Sequence, residues 1–111
     1  MNTLPYSPVV KHNDVLYVSG QLPMYNGVLL VDVYEATLQC LKNIEPLLKE
    51  HGSNLEKVIK ITVFMTDFSE FETMNTAYST IFVNNKPARS AIEVKRLPKG
   101  AVIEIECIAS I

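Results

Sequence analysis

Two side chains in the last quarter of the sequence could together handle a small carboxylic acid. Arg89 directly follows Pro87-Ala88 at the start of a segment with strand composition, where a guanidinium can grip a carboxylate through two parallel hydrogen bonds. The same spacing suits an ordinary salt bridge to Glu93 or Glu106, and both readings stand. Glu104 precedes Glu106 by two residues, so both lie on one face of a strand; there Glu104 is either a general base or an exposed carboxylate. If the last two strands pair as a hairpin, the face bearing Glu104 and Glu106 adjoins the face bearing Arg89, Ala91 and Glu93. Tyr6 reads as a half-buried anchor near the N-terminus, and Ser19-Gly20-Gln21 as a strand end with a turn.

Other chemistry has no foothold. The sequence contains no G-x-x-x-x-G-K-[ST], no G-x-G-x-x-G, no C-x-x-C and no G-x-S-x-G, so phosphate-cradling, dithiol redox and serine-hydrolase mechanisms lack their defining residues. Cys40 and Cys107 stand 67 positions apart with no second sulfur nearby, and read as small buried apolar residues. His12 and His51 are equally isolated, so no metal site is expected. What remains is cofactor-free chemistry on a small molecule, or binding without chemistry.

Positioning these groups requires a sheet. The first third is rich in β-branched and aromatic residues at 9–10, 15–19 and 28–31, which read as short strands paired sequentially and antiparallel. Asn13-Asp14 and Asn26-Gly27 are turn pairs, the second matching the tight hairpin that needs positive φ at both central positions. Asp32 with Glu35 predicts a helix start, Gly52 its end, and Leu38, Leu41, Ile44, Leu47 and Leu48 one apolar stripe between them. Pro46 inside that helix predicts a kink. Ser53 with Glu56 suggests a capped turn, residues 58–65 a central strand, and Asp67 with Glu70 a second start, followed by Phe71, Met74, Tyr78 and Phe82 at helical spacing. Two strands, at 89–95 and 102–108, close the chain.

The order is therefore β-β-β-α-β-α-β-β, an α+β fold whose helices follow crossover connections and lie on one face of a mixed sheet. In the last strand Ile103, Ile105, Cys107 and Ala109 point towards the helices, while Val102, Glu104, Glu106 and Ile108 point away. An uncovered face of mixed character suggests burial against another subunit.

Bulk properties agree with one domain over residues 1–111. The chain weighs 12.4 kDa with 48% apolar and 20% charged residues, and about two thirds of its surface should be buried on folding. Ten basic against twelve acidic residues give a net charge of −2 and a pI near 5.6, which disfavours nucleic acid as a partner. The longest uncharged stretch, 15–31, is interrupted by Gly20, Gln21, Pro23, Asn26 and Gly27 and does not read as a membrane span. The opening residues MNTLPYSP lack the pattern of a secretory signal, so the expected address is cytoplasmic.

Taken together, Tyr6, Val18-Ser19-Gly20-Gln21-Leu22-Pro23, Val63-Phe64 with Asp67, Asn75 with Tyr78, Pro87-Ala88-Arg89-Ser90, Arg96-Leu97-Pro98-Lys99 and Ile103-Glu104-Ile105-Glu106 resemble the RidA family, also called YjgF or L-PSP. The similarity spans the whole chain. It implies a chorismate-mutase-like homotrimer, with ligand clefts between neighbouring subunits, and hydrolysis of reactive 2-imino acids such as iminopropanoate and iminobutanoate to 2-oxo acids and ammonia without a cofactor. Carried over by position, Arg89 clamps the substrate carboxylate, Glu104 activates water, and Tyr6, Ser19, Gly20 and Asn75 shape the pocket.

The chain departs from that pattern in places. Ala91 stands where many members have Cys, and Lys86 where an aromatic residue commonly precedes P-A-R. The segment 83–86 and the turn 24–27 are short, and Ala36 replaces a usual glutamine. Two other functions compete with the deaminase: a trimeric binder or sensor of small carboxylates, and the endoribonuclease or translation inhibitor that one family label suggests. Acidic pI and lone histidines speak against the last.

Overall fold

The alternation of Ile103, Ile105, Cys107 and Ala109 with Glu104, Glu106, Ile108 and Ser110 becomes, in the computed structural model, a strand with one wholly buried face. The structure describes residues 3–111; Met1 and Asn2, which begin the N-terminal segment read above, lie outside the described residues. In chain order the elements are β1 (Val9–His12), β2 (Val15–Gln21), β3 (Met24–Tyr25), β4 (Val28–Leu29), α1 (Val33–Lys49), β5 (Val58–Met65), α2 (Phe71–Ile81), β6 (Ala88–Glu93) and β7 (Ile103–Ser110). Single turns of 3₁₀ helix at Leu55–Lys57, Phe68–Glu70 and Pro98–Gly100 link them.

Five strands form one mixed sheet in the order β1-β2-β7-β5-β6, with only β5 and β6 parallel. Both helices pack on one face. From α1, Ala36, Cys40, Leu41, Ile44 and Leu48 are buried; from α2, Met74, Ala77 and Tyr78 are buried. They meet Leu16, Val18, Ile61, Val63, Met65, Ile103 and Ile105 of the sheet. Truncating such a side chain, Ile105 to Ala for instance, should cost about 2–5 kcal/mol through lost burial and the cavity left behind.

Local signals set the helix ends. The Asp32 carboxylate accepts a hydrogen bond from the Glu35 N–H at 3.0 Å, satisfying one of the free donors of the first turn. Gly52, at φ +81°, ends α1: the Ser53 N–H bonds the Leu48 carbonyl at 2.9 Å and the Gly52 N–H bonds that of Lys49 at 3.2 Å, the paired closure that a left-handed residue permits. The helix runs through Pro46 as one element. Pro46 lies in the last turn, which the Glu50 N–H closes onto the Pro46 carbonyl at 3.0 Å.

Three expectations need correction. The strand expected at 28–31 shrinks to Val28–Leu29, and it pairs with Met24–Tyr25 in a separate small hairpin instead of joining the main sheet. Its turn is as expected, with Asn26 at φ 50° and Gly27 at φ 77°. Asn54, not Ser53, caps the turn before β5, accepting from the Glu56 N–H at 2.9 Å, because the Ser53 hydroxyl is turned inward onto the Ser110 carbonyl. Finally, β6 and β7 do not form a hairpin. The β5-α2-β6 crossover lays β6 parallel beside β5 at the sheet edge, and β7 inserts between β2 and β5, where both of its edges are hydrogen-bonded.

Candidate functional site

That strand order separates Arg89 from Glu104. Arg89 pairs with Ile61 and so shares the helix-covered face, whereas Glu104 pairs with Phe64 on the open face. Two strand spacings across and three residues along put their Cα atoms roughly 14 Å apart, with side chains leaving opposite sides of the sheet. They line two different depressions.

The first depression, about 340 Å³, is lined by Tyr6, Ser19, Gly20, Pro98, Glu104 and Glu106. Four of the sequence-derived site residues meet here. The pairing of β2 with β7 shifts register between Val18 and Gln21, so Ser19 and Gly20 sit on a local irregularity of the ladder and not in a turn. The Ser19 hydroxyl donates to the Ser7 carbonyl at 2.7 Å and the Ser19 N–H to the Pro8 carbonyl at 2.9 Å, which holds the segment carrying Tyr6 against the sheet. Gly20 presses its bare backbone on Glu104. A Cβ there would lie 2.7 Å from Glu104 Cδ and 2.9 Å from Oε2. Burial raises the Glu104 pKa above the usual carboxylate value, and the nearby Glu106 charge raises it further. Both causes act in the direction that suits a base working near neutrality.

The second depression, about 250 Å³, runs along the flank of α2 and is lined by residues including Asn75, Tyr78, Phe82, Lys86 and Arg89. The Arg89 guanidinium carbon stands 4.8 Å from the Tyr78 ring centre and 5.7 Å from that of Phe71, and Nη1 lies 3.8 Å from Met74 Sδ. Aromatic faces hold the cation in place. Neither salt bridge considered from the sequence forms: Glu93 instead accepts from the Phe68 N–H at 2.9 Å, and among the described residues Arg89 has no carboxylate partner. Apart from the Nη1 contact with Met74, no hydrogen bond of its planar fork to the described residues is seen. Burial pushes the Tyr78 hydroxyl up to about 12, against the opposing Arg89 charge, so it stays protonated; among the described residues it has no hydrogen-bond partner.

Asn75 therefore shares a depression with Arg89, while Tyr6, Ser19 and Gly20 share one with Glu104. Sequence reasoning missed Pro98, and missed Phe71 and Met74 as the platform of Arg89. The signal was present in the stripe Phe71, Met74, Tyr78, whose helical spacing looks like core alone. Among the described residues no three His, Cys, Asp or Glu side chains are grouped to hold a metal, and no helix is long and apolar enough to cross a membrane. Cys40 and Cys107 are both buried free thiols, each pushed up mainly by burial, Cys107 to about 12, and neither is a ready nucleophile.

Comparison with known proteins gives concordant results. A family described as Endoribonuclease L-PSP matches residues 1–111. The mitochondrial protein mmf1 of Schizosaccharomyces pombe is 43% identical over 109 residues, covering 95% of this chain and 67% of its own. The chloroplastic Reactive Intermediate Deaminase A of Arabidopsis thaliana is 38% identical over 110 residues, covering 96% of this chain and 59% of its own. Among solved structures, E. coli TdcF with bound serine superposes with a TM-score of 0.92 at 33% identity, covering 99% of this chain and 90% of that one.

Proposed function

Because the chain belongs to the L-PSP family, the RidA and YjgF group that includes a protein named Reactive Intermediate Deaminase A, we propose that it hydrolyses 2-imino acids to 2-oxo acids and ammonia in clefts built by two copies of itself. The observation that carries this reading is the unpaired Arg89 guanidinium, held on aromatic rings and lining an open depression. A charged fork with no internal carboxylate partner among the described residues is suited to a substrate carboxylate. Serine bound to TdcF, another amino-acid carboxylate, agrees with that chemistry.

One chain cannot supply both groups to one small molecule, since Arg89 and Glu104 leave opposite sides of the sheet. The depressions are complementary in charge, one lined by Glu104 and Glu106 and the other by Arg89 and Lys86. A head-to-tail contact between copies brings them face to face, and such contacts close into rings when the rotation permits. A homotrimer satisfies this and covers the open sheet face.

In the assembled cleft Arg89 of one copy fixes the α-carboxylate. Glu104 of the next takes a proton from water as its oxygen bonds to the iminium carbon, giving a tetrahedral carbinolamine. Glu104 passes that proton to the nitrogen; the C–N bond then breaks as the carbonyl forms, the hydroxyl proton returning to Glu104, so that ammonia leaves and the 2-oxo acid remains. The iminium carbon is electrophilic already, so positioning and one proton transfer supply the catalysis.

The test generates iminobutanoate with a pyridoxal-phosphate-dependent dehydratase and follows 2-oxobutanoate release. Wild type should accelerate release, and Arg89→Gln and Glu104→Gln should each reduce it by about 10²-fold or more. Mixing the two inactive variants after partial dissociation should restore activity, because hybrid assemblies contain clefts with both groups intact. No acceleration by wild type leaves a carboxylate binder without turnover; no restoration in the mixture refutes the two-copy cleft.

A further inference from the structure

We infer that this cleft selects acids carrying a second carboxylate, with Lys86 and Arg89 forming a two-cation cradle for a dianionic 2-imino or 2-oxo acid of four or five carbons. The inference rests on the reading of Arg89 as the carboxylate clamp and names the substrate class of that same site. Lys86 lines the depression that Arg89 lines, and no Asp or Glu lines it. Among the described residues neither cation has a carboxylate partner, the ion pair formed there being Lys49 with Glu45.

The backbone of Lys86 is held by its neighbours. Asn85 Nδ2 donates to the Leu55 and Val58 carbonyls at 3.2 and 3.1 Å, pinning the chain just before it. Pro87 restricts Lys86 to extended backbone, and Ala88 is already paired with Lys60 in the sheet. Three extended residues separate the two cations by roughly 10 Å at Cα, a gap that the long Arg and Lys stems close from both ends onto a short diacid. The Tyr78 and Phe82 rings, 4.9 Å apart and both buried, form the apolar wall between helix and cradle. A monoacid engages Arg89 and leaves the ammonium with no counter-charge from its own copy or from the ligand; a diacid meets both cations.

The test is titration calorimetry with 2-oxoglutarate, its 5-methyl ester and 2-oxobutanoate, on wild type, Lys86→Gln, Lys86→Arg and Arg89→Gln. The ester keeps the length and removes one charge. Wild type should bind 2-oxoglutarate about two- to fivefold more tightly than the ester, as a partly exposed ion pair allows. That ratio should fall to about one in Lys86→Gln, persist in Lys86→Arg, and shrink as ionic strength rises from about 0.02 to about 0.5 M. A ratio near one in wild type, or an unchanged ratio in Lys86→Gln, overturns the inference. If all three acids bind wild type equally and Arg89→Gln loses them all, the clamp stands and the diacid preference alone falls; if none binds wild type, both fall.

Discussion

Gly20→Ala isolates the placement of Glu104 from everything else in the fold. The added Cβ would lie 2.7 Å from Glu104 Cδ, 2.9 Å from Oε2 and 3.0 Å from Cγ. Carbon atoms settle at about 3.5 Å or beyond, so the carboxylate must retreat by about 0.8 Å. A glutamate side chain can do this by rotating, at a cost of about 0.5–1.5 kcal/mol for leaving its preferred rotamer. At this chain length that corresponds to a fall in Tm of roughly 2–10 °C. The effect on turnover should be far larger, since an error of about 1 Å at a reacting group can cost about 10²-fold. Gly20→Ala should therefore fold, keep its affinity for 2-oxobutanoate, and lose about 10²-fold in kcat in the coupled imine assay. A double-mutant cycle by urea unfolding supplies the structural control: the destabilisation by Gly20→Ala should vanish in a Glu104→Ala background, a coupling of about 1 kcal/mol. Wild-type kcat in Gly20→Ala, or an undiminished stability loss in the double variant, would refute the proposed role of this contact.

Other perturbations have outcomes of definite sign. The raised pKa of Glu104 means that the folded chain holds that proton more tightly than the unfolded one, so the group's contribution to stability is full in acid and is lost as pH rises through the folded value; Glu104→Gln should be more stable than wild type at pH 7, the difference disappearing below the ordinary carboxylate range in urea titrations at several pH values. Glu106→Gln removes one of the two causes of that shift and should move the acid limb of the kcat/KM profile to lower pH, whereas an unmoved limb would exclude Glu106 as a neighbour of the base. Tyr78→Phe deletes a buried hydroxyl with no partner and should raise the unfolding free energy of the unliganded protein by about 1 kcal/mol, read from the urea midpoint. Arg89→Lys keeps the charge but not the two-pronged fork, so its Kd for 2-oxobutanoate should weaken by about tenfold or more in calorimetry.

What could be read from the sequence was what short-range physics decides. The Asp32 to Glu35 cap, the Asn26-Gly27 hairpin and the stripe Phe71, Met74, Tyr78 each involve neighbours within about two turns, and each appears as expected. Leu38 is an instructive near miss: it belongs to the helical period, but small Ala36 and Cys40 are wholly buried while Leu38 lies only partly buried. Strand order was illegible because it depends on pairing across long stretches of chain. Residues 88–93 alternate Ala88, Ser90 and Ile92 with Arg89, Ala91 and Glu93, and the one large apolar side chain, Ile92, is exposed, so their alternation does not say which face meets the helices. For the site, Arg89 and Glu104 could be picked out as candidates by residue type, but their mutual geometry could not be read. The helix crossover sends one to each side of the sheet, and the cleft they are proposed to share is a property of two chains.

If Arg89 and Glu104 work together only across two copies, as proposed, competence depends on abundance. A protein whose two working groups must come from different copies has a specific activity that falls on dilution, with a threshold set by the affinity between copies. A scarce pool would bind acids yet leave imines standing, and a modest rise in expression would switch on scavenging more steeply than in proportion.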